Sequence, residues 1–565
     1  MNQYAGWLST KRRELLALAG LLLAFIAVRL PGFWLPFHQD EWKIAEVVRS
    51  QIVGGVMSAH PPLYELIFRW SGYLVDADYV RIVPLTFGLI SAVLLYLVVR
   101  RRAGVRAAYA AIALYTVCAY GVYASVMVDV DGAILPAFFL AAVYAYDRFR
   151  SAESSRASFA WGFGIAVAVF LGFLVKLSFV LVLGALILDY VIEVRHRLTR
   201  ALIIRSLTVA AMCALAAFVI VASMQLLFSI FNFGEIMAHA LSYVRFEGRG
   251  YLQILVQGTK AMFYLSPLLL VPLLFASKES LAKNRIFAVY LGLGALFYFV
   301  IFDFSQAALD KYLMFIVVPL AAIVGTVIAD SMRDISSRQV VSGVLFGGIG
   351  ALVLLAVNFL SPSVMPLYPK TAWLSAILSG NWNILLPFTG GNGPLGFYLS
   401  FLFITAGFIL SAVFAVYGKY IPRARTAALV AVITVGVAYN CIWVNELFFG
   451  RINGSAPAVL QSALSYVARD EVKRVITHAD AGSYELSGMG KRAGRFYAVP
   501  GYEEAHRELF AAFDGHYLVV DMPHINEGSF YSKFFSTCET VFATSSGVIA
   551  AHVYYCFDSD PYAIP

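Results

Sequence analysis

Long runs of apolar residues recur along the 565-residue chain, separated by short polar segments. A helix needs about 20 mostly apolar residues to cross the hydrocarbon core of a bilayer. This pattern predicts a polytopic α-helical membrane protein with about thirteen transmembrane helices. The predicted helices lie near residues 14–31, 79–99, 105–125, 131–147, 158–175, 177–194, 203–228, 259–276, 286–303, 312–330, 340–360, 396–417 and 425–446.

The loops between these predicted helices alternate in charge. Lysine and arginine concentrate in every second loop, at residues 11–13, 100–106, 148–156, 195–200, 278–285, 333–338 and 419–425. Cationic loops stay on the cytoplasmic side of a membrane. We therefore expect a cytoplasmic N-terminus and an extracytoplasmic C-terminal region. The opposite loops, at about residues 32–78, 126–130, 229–258, 304–311 and 361–395, hold the residues with candidate chemistry.

The first of these extracytoplasmic loops carries two amphipathic segments. In KIAEVVRSQIV, which begins at Lys43, apolar residues recur at helical spacing. That pattern is typical of a helix lying on a membrane surface. A second segment of similar character, LYELIFRW, follows Pro61 and Pro62. We expect two juxtamembrane helices within about residues 38–70, forming a platform over the helix bundle.

The composition changes from about Ser455 onward. Charged residues become more frequent, and the strand-like runs HYLVVDM and VIAAHVYYC appear, with helix-like stretches near 456–469 and 502–513. This predicts a small extracytoplasmic α/β domain at residues 447–565, after a transmembrane domain at residues 1–446. The domain has no Gly-rich phosphate loop and no nucleophile elbow, so we expect a structural or acceptor-facing role.

Two cysteines of this region, Cys538 and Cys556, are candidates for a disulfide. An oxidising compartment outside the cytoplasm would permit the bond. The intervening VFATSSGVIAAHV predicts two short strands that would bring the cysteines together.

Composition supports a membrane protein and argues against other classes. Hydrophobic residues make up 60% of the chain and charged residues only 13%, whereas soluble domains are about half apolar and a quarter charged. The net charge of +8 resides largely in short loops, where it sets orientation in the bilayer. No exposed basic domain carries it, so we expect a lipid bilayer and no nucleic acid as partner.

An acid pair followed by cations suggests chemistry on a charged lipid. Asp40 and Glu41 are adjacent, Lys43 follows one helical turn after Asp40, and His60 precedes two prolines. A transferase that uses a lipid-phosphate sugar needs a carboxylate to deprotonate the acceptor hydroxyl. It also needs cations to stabilise the departing phosphate. Asp40 and Glu41 are candidates for the first role, and the candidates for the second are Lys43, His60, Lys176, Arg245, Arg249 and Lys311.

These residues also have structural explanations. Asp40 suits the N-cap of the following helix, Lys43 suits an interfacial lysine that reaches lipid headgroups, and His60 suits a turn.

Asp129 and Asp131, in MVDVDGAILP, form a second acid pair. They could share a divalent metal or a sugar contact, or they could form a polar turn that caps the next helix. No Cys/His cluster has zinc-like spacing.

Several segments resemble the GT-C superfamily of polyprenyl-phosphate-dependent glycosyltransferases. The resemblance extends to about residue 330 and is carried by DEWK, HPPLYELIFRW, VDVDGAILPAFFLAAVY, FLVKLSFVLV and DKYLMFIVVPLAAIVG. Within that superfamily, these segments are most similar to protein O-mannosyltransferases and to the bacterial transferase that adds aminoarabinose to lipid A. The C-terminal region resembles the family in size and placement only. The resemblance implies a GT-C-like fold and a polyprenyl-phosphate-linked sugar donor.

The resemblance also implies roles for individual residues. Asp40 matches the proposed general base. Lys43 stands where many members have arginine, and a lysine loses the bidentate geometry with phosphate. His60 stands where members have lysine or histidine before two prolines. The other positions implied near the lipid phosphate are Lys176, Tyr312 and either Arg245 or Arg249.

The expected reaction is a single inverting displacement at the plasma (inner) membrane, in which Asp40 takes the acceptor proton and polyprenyl phosphate leaves. Glu41 would orient the acceptor or a neighbouring cation. We expect a cell-envelope glycan or glycolipid as acceptor rather than a protein. The alternatives are a lipid or glycan transporter or flippase, which usually has ionisable residues within its membrane helices, and a non-catalytic scaffold whose outer domain binds a partner.

Overall fold

The structure is a computed structural model that describes residues 2–50, 60–195, 217–219, 221–223, 225–226, 232–245, 247–303, 310–333, 335–360, 363–388 and 393–564. The predicted helix near 203–228 lies mostly outside the described residues. The chain forms two compact units. The first comprises Met1–Leu30, Val47–Leu265 and Pro272–Asp334, and the second comprises Pro31–Glu46, Ser266–Val271 and Ile335–Pro565.

Helices account for most of the described chain up to Phe449. The α-helices there are Asn2–Arg29, Asp40–Ser50, Pro62–Ser71, Ile82–Ala103, Val105–Val117, Ala119–Val126, Ile134–Arg150, Ser155–Val175, Val180–Val194, Phe233–Ser242, Tyr251–Leu270, Lys278–Lys283, Arg285–Leu296, Val317–Ser331, Ser337–Phe359, Lys370–Leu378, Phe401–Tyr420 and Arg425–Phe449. Short 3-10 helices occur at Leu30–Trp34, Ala77–Tyr79, Leu177–Phe179, Val271–Phe275, Asp310–Ile316 and Pro422–Ala424, and a π-helical turn occurs at Phe297–Ile301.

Among the described residues, nine helices are long and apolar enough to cross a membrane, or ten if the bent pair Val105–Val117 and Ala119–Val126 is one span. Arg285–Ile301 is a shorter apolar helix. The prediction of a polytopic α-helical membrane protein is confirmed, whereas the count of about thirteen spans stays a prediction. The two predicted juxtamembrane segments form the helices Asp40–Ser50 and Pro62–Ser71.

Small residues allow close helix packing within each unit. In the first unit, a Cβ on Gly325 would lie 2.6 Å from the backbone nitrogen of Ala111. In the second unit, Gly343 and Gly347 lie one turn apart, and a Cβ on Gly343 would lie 2.5 Å from the carbonyl oxygen of Ala427. Membrane helices associate through such small residues because their backbones can then approach closely.

The second unit contains two sheets. In the smaller sheet, β2 (Ile384–Phe388) pairs in parallel with β1 (Ser363–Val364) and antiparallel with β3 (Phe397–Ser400). The larger sheet has the order β5-β4-β6-β8-β7. Its strands are β4 (Val475–His478), β5 (Arg492–Phe496), β6 (Gly515–Val520), β7 (Glu539–Ser546) and β8 (Ile549–Cys556). The helices beside it are Ala456–Val467, Ser483–Gly488, Glu503–Ala511 and Phe530–Ser536.

The larger sheet confirms the predicted small C-terminal α/β domain. Its strand β4 runs parallel to β5 and β6, while β8 is antiparallel to β6 and β7. A buried aromatic core that includes Phe496, Phe510 and Phe534 packs inside the domain. A disulfide joins Cys538 and Cys556. The division into residues 1–446 and 447–565 stays a prediction.

Candidate functional site

Residues 127–133 form a tight turn, which we call the acid turn, between the helices Ala119–Val126 and Ile134–Arg150. Asp129 stabilises it, because its Oδ1 accepts hydrogen bonds from the backbone nitrogens of Val130 (2.6 Å) and Asp131 (3.2 Å). Gly132 is needed for close packing, since a Cβ there would lie 2.3 Å from the carbonyl oxygen of Ala124. The turn thus holds two carboxylates in fixed positions.

Two lysines from distant parts of the chain pair with these carboxylates. Lys311 Nζ lies 2.7 Å from Asp129 Oδ2, and Lys176 Nζ lies 2.5 Å from Asp131 Oδ2. All four side chains are mostly buried, the most exposed being Lys176 at 18%. Lys176 Nζ also lies 4.8 Å from the centroid of the Tyr312 ring. We call Asp129, Asp131, Lys176 and Lys311 the lysine–aspartate cluster.

The two aspartates of this cluster differ in their tendency to ionise. Burial disfavours the charge of Asp129, but Lys311 and Lys176 outweigh burial and lower the pKa of that carboxyl. Burial and the neighbouring charge of Asp129 outweigh Lys176 at Asp131, and they raise the pKa of that carboxyl. Asp129 is therefore the firmly ionised member. When Asp131 is protonated, two lysines face one carboxylate, and the cluster then has positive charge available for an anion.

The described residues provide no group of three or more His, Cys, Asp or Glu placed to hold a metal ion. Each carboxylate of the acid turn instead faces a lysine ammonium. A cavity of about 20 Å³ beside the cluster is lined by Asp131, Lys311, Tyr312 and further aromatic residues. This volume suits about one water molecule. A divalent metal or a sugar contact at Asp129 and Asp131 stays a prediction.

His60 lies in the same unit, beside the acid turn. Its ring stacks on Tyr64 at 4.6 Å and meets His239 edge-on at 5.4 Å, and the Tyr64 hydroxyl donates to Asp129 Oδ2 at 3.4 Å. Burial, followed by the positive charges of Lys176 and Lys311, lowers the pKa of His60 to about 4. His60 is therefore neutral at physiological pH and can offer a hydrogen bond rather than a positive charge.

Arg249 and Arg245 have different surroundings. The guanidinium of Arg249 is buried, and it donates to the backbone carbonyls of Val300 and, at 3.1 Å, of Phe302. The Arg245 side chain is exposed, and its Nε donates to the carbonyl oxygen of Ser242 at 3.1 Å. Since Arg249 holds the end of the π-helical turn, Arg245 is the more accessible of the two candidate cations.

Asp40, Glu41 and Lys43 lie in the second unit. Lys43 Nζ forms an ion pair with Asp40 Oδ1 at 2.8 Å, and the side chains are 20% and 32% exposed respectively. Glu41 is fully buried, and its Oε2 accepts a hydrogen bond from the backbone nitrogen of His38 at 3.4 Å. Of the two acids, Asp40 is therefore the more accessible one.

The sequence and the fold both match known proteins. Residues 59–224 match the family model of dolichyl-phosphate-mannose-protein mannosyltransferases. The crystal structure of ArnT from Cupriavidus metallidurans in the apo state matches with a TM-score of 0.51 and 13% identity, over 95% of this chain and 98% of that one. The chain therefore has the fold of ArnT, and the predicted GT-C-like fold is confirmed.

The GT-C fold is matched equally by ArnT from Cupriavidus metallidurans bound to undecaprenyl phosphate, at a TM-score of 0.51 and 14% identity, over 97% of this chain and 98% of that one. No curated protein matches the sequence significantly. Together with its apolar helices, the GT-C fold makes this chain a multi-pass membrane protein.

The family match contains only part of the candidate site. His60, the acid turn and Lys176 fall inside residues 59–224, whereas Asp40 and Lys311 fall outside. Sequence reasoning missed two neighbours of His60. The sequence weakly indicated that Tyr64 lies beside His60, since it follows His60 at helical spacing within HPPLYELIFRW. The sequence around His239 contains no comparable signal.

Proposed function

We propose that this chain is a glycosyltransferase that moves a sugar from a polyprenyl-phosphate donor to an acceptor hydroxyl outside the cytoplasm. The observation that carries the proposal is the lysine–aspartate cluster, with two mostly buried lysines whose carboxylate partners differ in their tendency to ionise. A leaving phosphate gains negative charge in the transition state, so preorganised cations stabilise it strongly. The GT-C fold and the undecaprenyl phosphate bound to one ArnT structure support this donor class.

In the proposed mechanism, Lys176 and Lys311 bind the donor phosphate, and neutral His60 donates a hydrogen bond to it. Asp129 stays ionised and holds Lys311, while Asp131 can release Lys176 by taking up a proton. The weaker candidates for the same phosphate are Lys43, Arg245, Arg249 and Tyr312.

We assign the role of general base to Asp40. Its carboxylate accepts the proton of the acceptor hydroxyl, and that oxygen attacks the anomeric carbon. The bond between the anomeric carbon and the phosphate oxygen breaks, so the sugar is transferred with inversion and polyprenyl phosphate leaves. Buried Glu41 acts indirectly, because its carboxylate fixes the backbone just before Asp40.

We further propose the plasma (inner) membrane as location, with a cytoplasmic N-terminus and an extracytoplasmic C-terminal domain. The alternating loop charges support this orientation, and the Cys538–Cys556 disulfide suits an oxidising compartment. A cell-envelope glycan or glycolipid is the favoured acceptor class, ahead of a protein.

The deciding experiment incubates purified protein with polyprenyl-phosphate sugars and a membrane extract as acceptor source. Release of polyprenyl phosphate that depends on the acceptor is expected. A lipid or glycan flippase would move the donor across vesicle membranes without cleaving it, and a scaffold would do neither. Lys176→Ala should lose release, whereas Lys419→Ala, which removes an exposed lysine at the end of a membrane helix, should retain it.

A further inference from the structure

Two arginines of the first unit, Arg29 and Arg81, are fully buried. Arg29 is the last residue of the helix Asn2–Arg29, and Arg81 directly precedes the helix Ile82–Ala103. Neither has a part in the proposed reaction. Charged side chains are rare and costly inside membrane proteins, so each needs partners that stabilise it. Both arginines find those partners on the chain that leads into the acid turn.

Arg29 binds where a helix breaks. The bent helix pair of the first unit breaks at Cys118, whose backbone is extended, and its two halves meet at 68°. The last carbonyl oxygens of a helix have no regular helical partners. Arg29 Nη2 donates to the carbonyl oxygen of Tyr115 and Nη1 to that of Thr116, both at 3.1 Å. A cation at the carboxyl end of a helix also offsets the negative end of its dipole.

The same guanidinium reaches the second half of the bent pair. Arg29 Nε donates to Ser125 Oγ at 2.5 Å, and that hydroxyl donates in turn to the carbonyl oxygen of Gly121 at 2.7 Å. Nη1 also donates to the carbonyl oxygen of Phe25, one turn earlier in its own helix, at 3.1 Å. Arg29 therefore joins three helices through carbonyl and hydroxyl oxygens, and it fixes the direction of the second half.

Arg81 holds the carboxyl end of that second half. Its Nη1 donates to the carbonyl oxygen of Val126 at 2.7 Å, and the acid turn starts at the next residue. The negative end of the helix dipole would oppose further negative charge in the turn, and the arginine offsets it. At the other end of the turn, the buried Ser91 hydroxyl donates to the carbonyl oxygen of Ala133 at 3.4 Å. The acid turn is thus held at both ends.

We propose that Arg29 and Arg81 are positioning residues for the acid turn. They fix the helix end from which the turn starts, and they act on the donor phosphate through the lysine–aspartate cluster. This inference rests on the proposed glycosyltransferase function, in which that cluster binds the phosphate. It gives two buried charges outside the proposed site a part in donor binding.

Hydrogen exchange of the backbone amides tests the positioning without any substrate. Arg29→Lys and Arg81→Lys keep the charge, but an ammonium loses the fork geometry of a guanidinium. Peptides that cover the acid turn should exchange about 10-fold faster, as expected for loss of a charge-assisted hydrogen bond. Peptides of the C-terminal domain should exchange as in the parent protein.

Arg148→Lys is the matched control for these variants. It changes an arginine that lies over the Trp161 ring, 5.0 Å from its centroid, near the opposite end of the helix that follows the acid turn. Its acid turn should exchange as in the parent protein. Unchanged exchange of the acid turn in folded Arg29→Lys and Arg81→Lys would overturn the proposal.

Donor binding shows whether the positioning reaches the phosphate. Ser125→Ala removes one acceptor of Arg29, and it should weaken binding of undecaprenyl phosphate about 10-fold. In a Lys176→Ala background it should weaken binding little further, because both changes affect the same phosphate contact. A merely structural role would weaken binding by the same factor in both backgrounds, and that result would overturn the proposal.

Ser151→Ala is the control for Ser125→Ala. Ser151 also accepts a hydrogen bond from an arginine, Arg101, at 2.8 Å, but it lies beyond the far end of the helix that follows the acid turn. This variant should bind undecaprenyl phosphate like the parent protein. If the parent neither binds undecaprenyl phosphate nor cleaves any polyprenyl-phosphate sugar, the proposed function fails. The exchange measurement then still decides by itself whether the two arginines position the acid turn.

Discussion

The Lys311 ammonium lies 2.7 Å from a carboxylate oxygen of Asp129, although the two residues are 182 positions apart in the sequence. Lys311 is 8% exposed and Asp129 is fully buried. The pair ties the acid turn to the segment that precedes the helix Val317–Ser331. A buried ion pair of this kind contributes little net stability, but loss of one partner leaves an uncompensated charge.

This geometry makes Lys311→Met strongly destabilising, by about 3–5 kcal/mol, with a clear fall in melting temperature. The double variant Lys311→Met, Asp129→Asn removes both charges and should recover much of that stability. It should still fail to bind polyprenyl phosphate, because the cation is gone. Normal donor binding by the folded double variant would show that the pair has only a structural role.

Asp40→Asn should abolish most turnover while the protein still folds and binds the donor. The substitution removes basicity but keeps size and capping ability, and removal of a general base costs ~10²–10⁴-fold in rate. Loss of a helix cap would instead cost about 1 kcal/mol of stability. Specific activity and melting temperature, measured on one preparation, separate these explanations.

Asp470→Asn, at an exposed position of the C-terminal domain, is the matched control and should behave like the parent. Near-normal activity of folded Asp40→Asn would eliminate Asp40 as the base and leave Glu41 as the next candidate.

Gly132→Ala should disrupt the acid turn, because the added Cβ would lie 2.3 Å from a backbone oxygen that cannot move aside. We expect a lower melting temperature and loss of donor binding together. Gly348→Ala is the control, since a Cβ there meets nothing within 4 Å, and it should leave both unchanged. Equal behaviour of the two variants would contradict the packing described for the turn.

The melting temperature should fall as pH decreases from about 6.5 toward 4. Burial lowers the pKa of His38 and of His60 to about 4, and at His60 the charges of Lys176 and Lys311 act in the same direction, while unfolded histidine titrates near 6.5. Between these values the unfolded chain binds more protons, so folding stability is lost as pH falls. His38→Gln and His60→Gln should each flatten this dependence.

His524 provides a control of opposite sign. Burial disfavours its charge, but Asp521 outweighs burial and raises the pKa of His524. Its contribution to stability is present below the unfolded pKa and is lost as pH rises through the folded value. His524→Gln should therefore lower the stability throughout the acid range and remove the loss of stability that occurs as pH rises above about 6.5. If melting temperature depended on pH in the same way in His38→Gln, His60→Gln and His524→Gln, the assigned pKa directions would be refuted.

Reporter fusions at Arg101 and Gly515 should lie on opposite sides of the membrane, with Arg101 in the cytoplasm. The alternating cationic loops predict this arrangement, and the disulfide of the C-terminal domain suits the outer side. Reporters on the same side would reject the predicted topology. Free thiols at both Cys538 and Cys556, in protein purified without reductant, would argue against an oxidising compartment.

The sequence determined the features that depend on local pattern. Apolar run length indicated membrane helices, because a helix exposed to lipid must be apolar over the thickness of the bilayer. The strand-like runs HYLVVDM and VIAAHVYYC indicated the strands β6 and β8, since β-branched and aromatic residues favour strands. Local sequence also indicated two acid pairs, Asp40 with Glu41 and Asp129 with Asp131, because the members of each pair lie within two positions of each other.

Tertiary structure alone decided which of these residues share an environment and in which protonation state they act. No sequence separation indicates that Lys311 pairs with Asp129, or that Arg492 lies against the Trp42 ring, because these contacts depend on packing between distant segments. The sequence also made His60 a candidate cation, whereas its burial beside two lysines keeps it neutral. Ionisation responds to desolvation and to charges within a few ångströms, and only the folded chain sets either quantity.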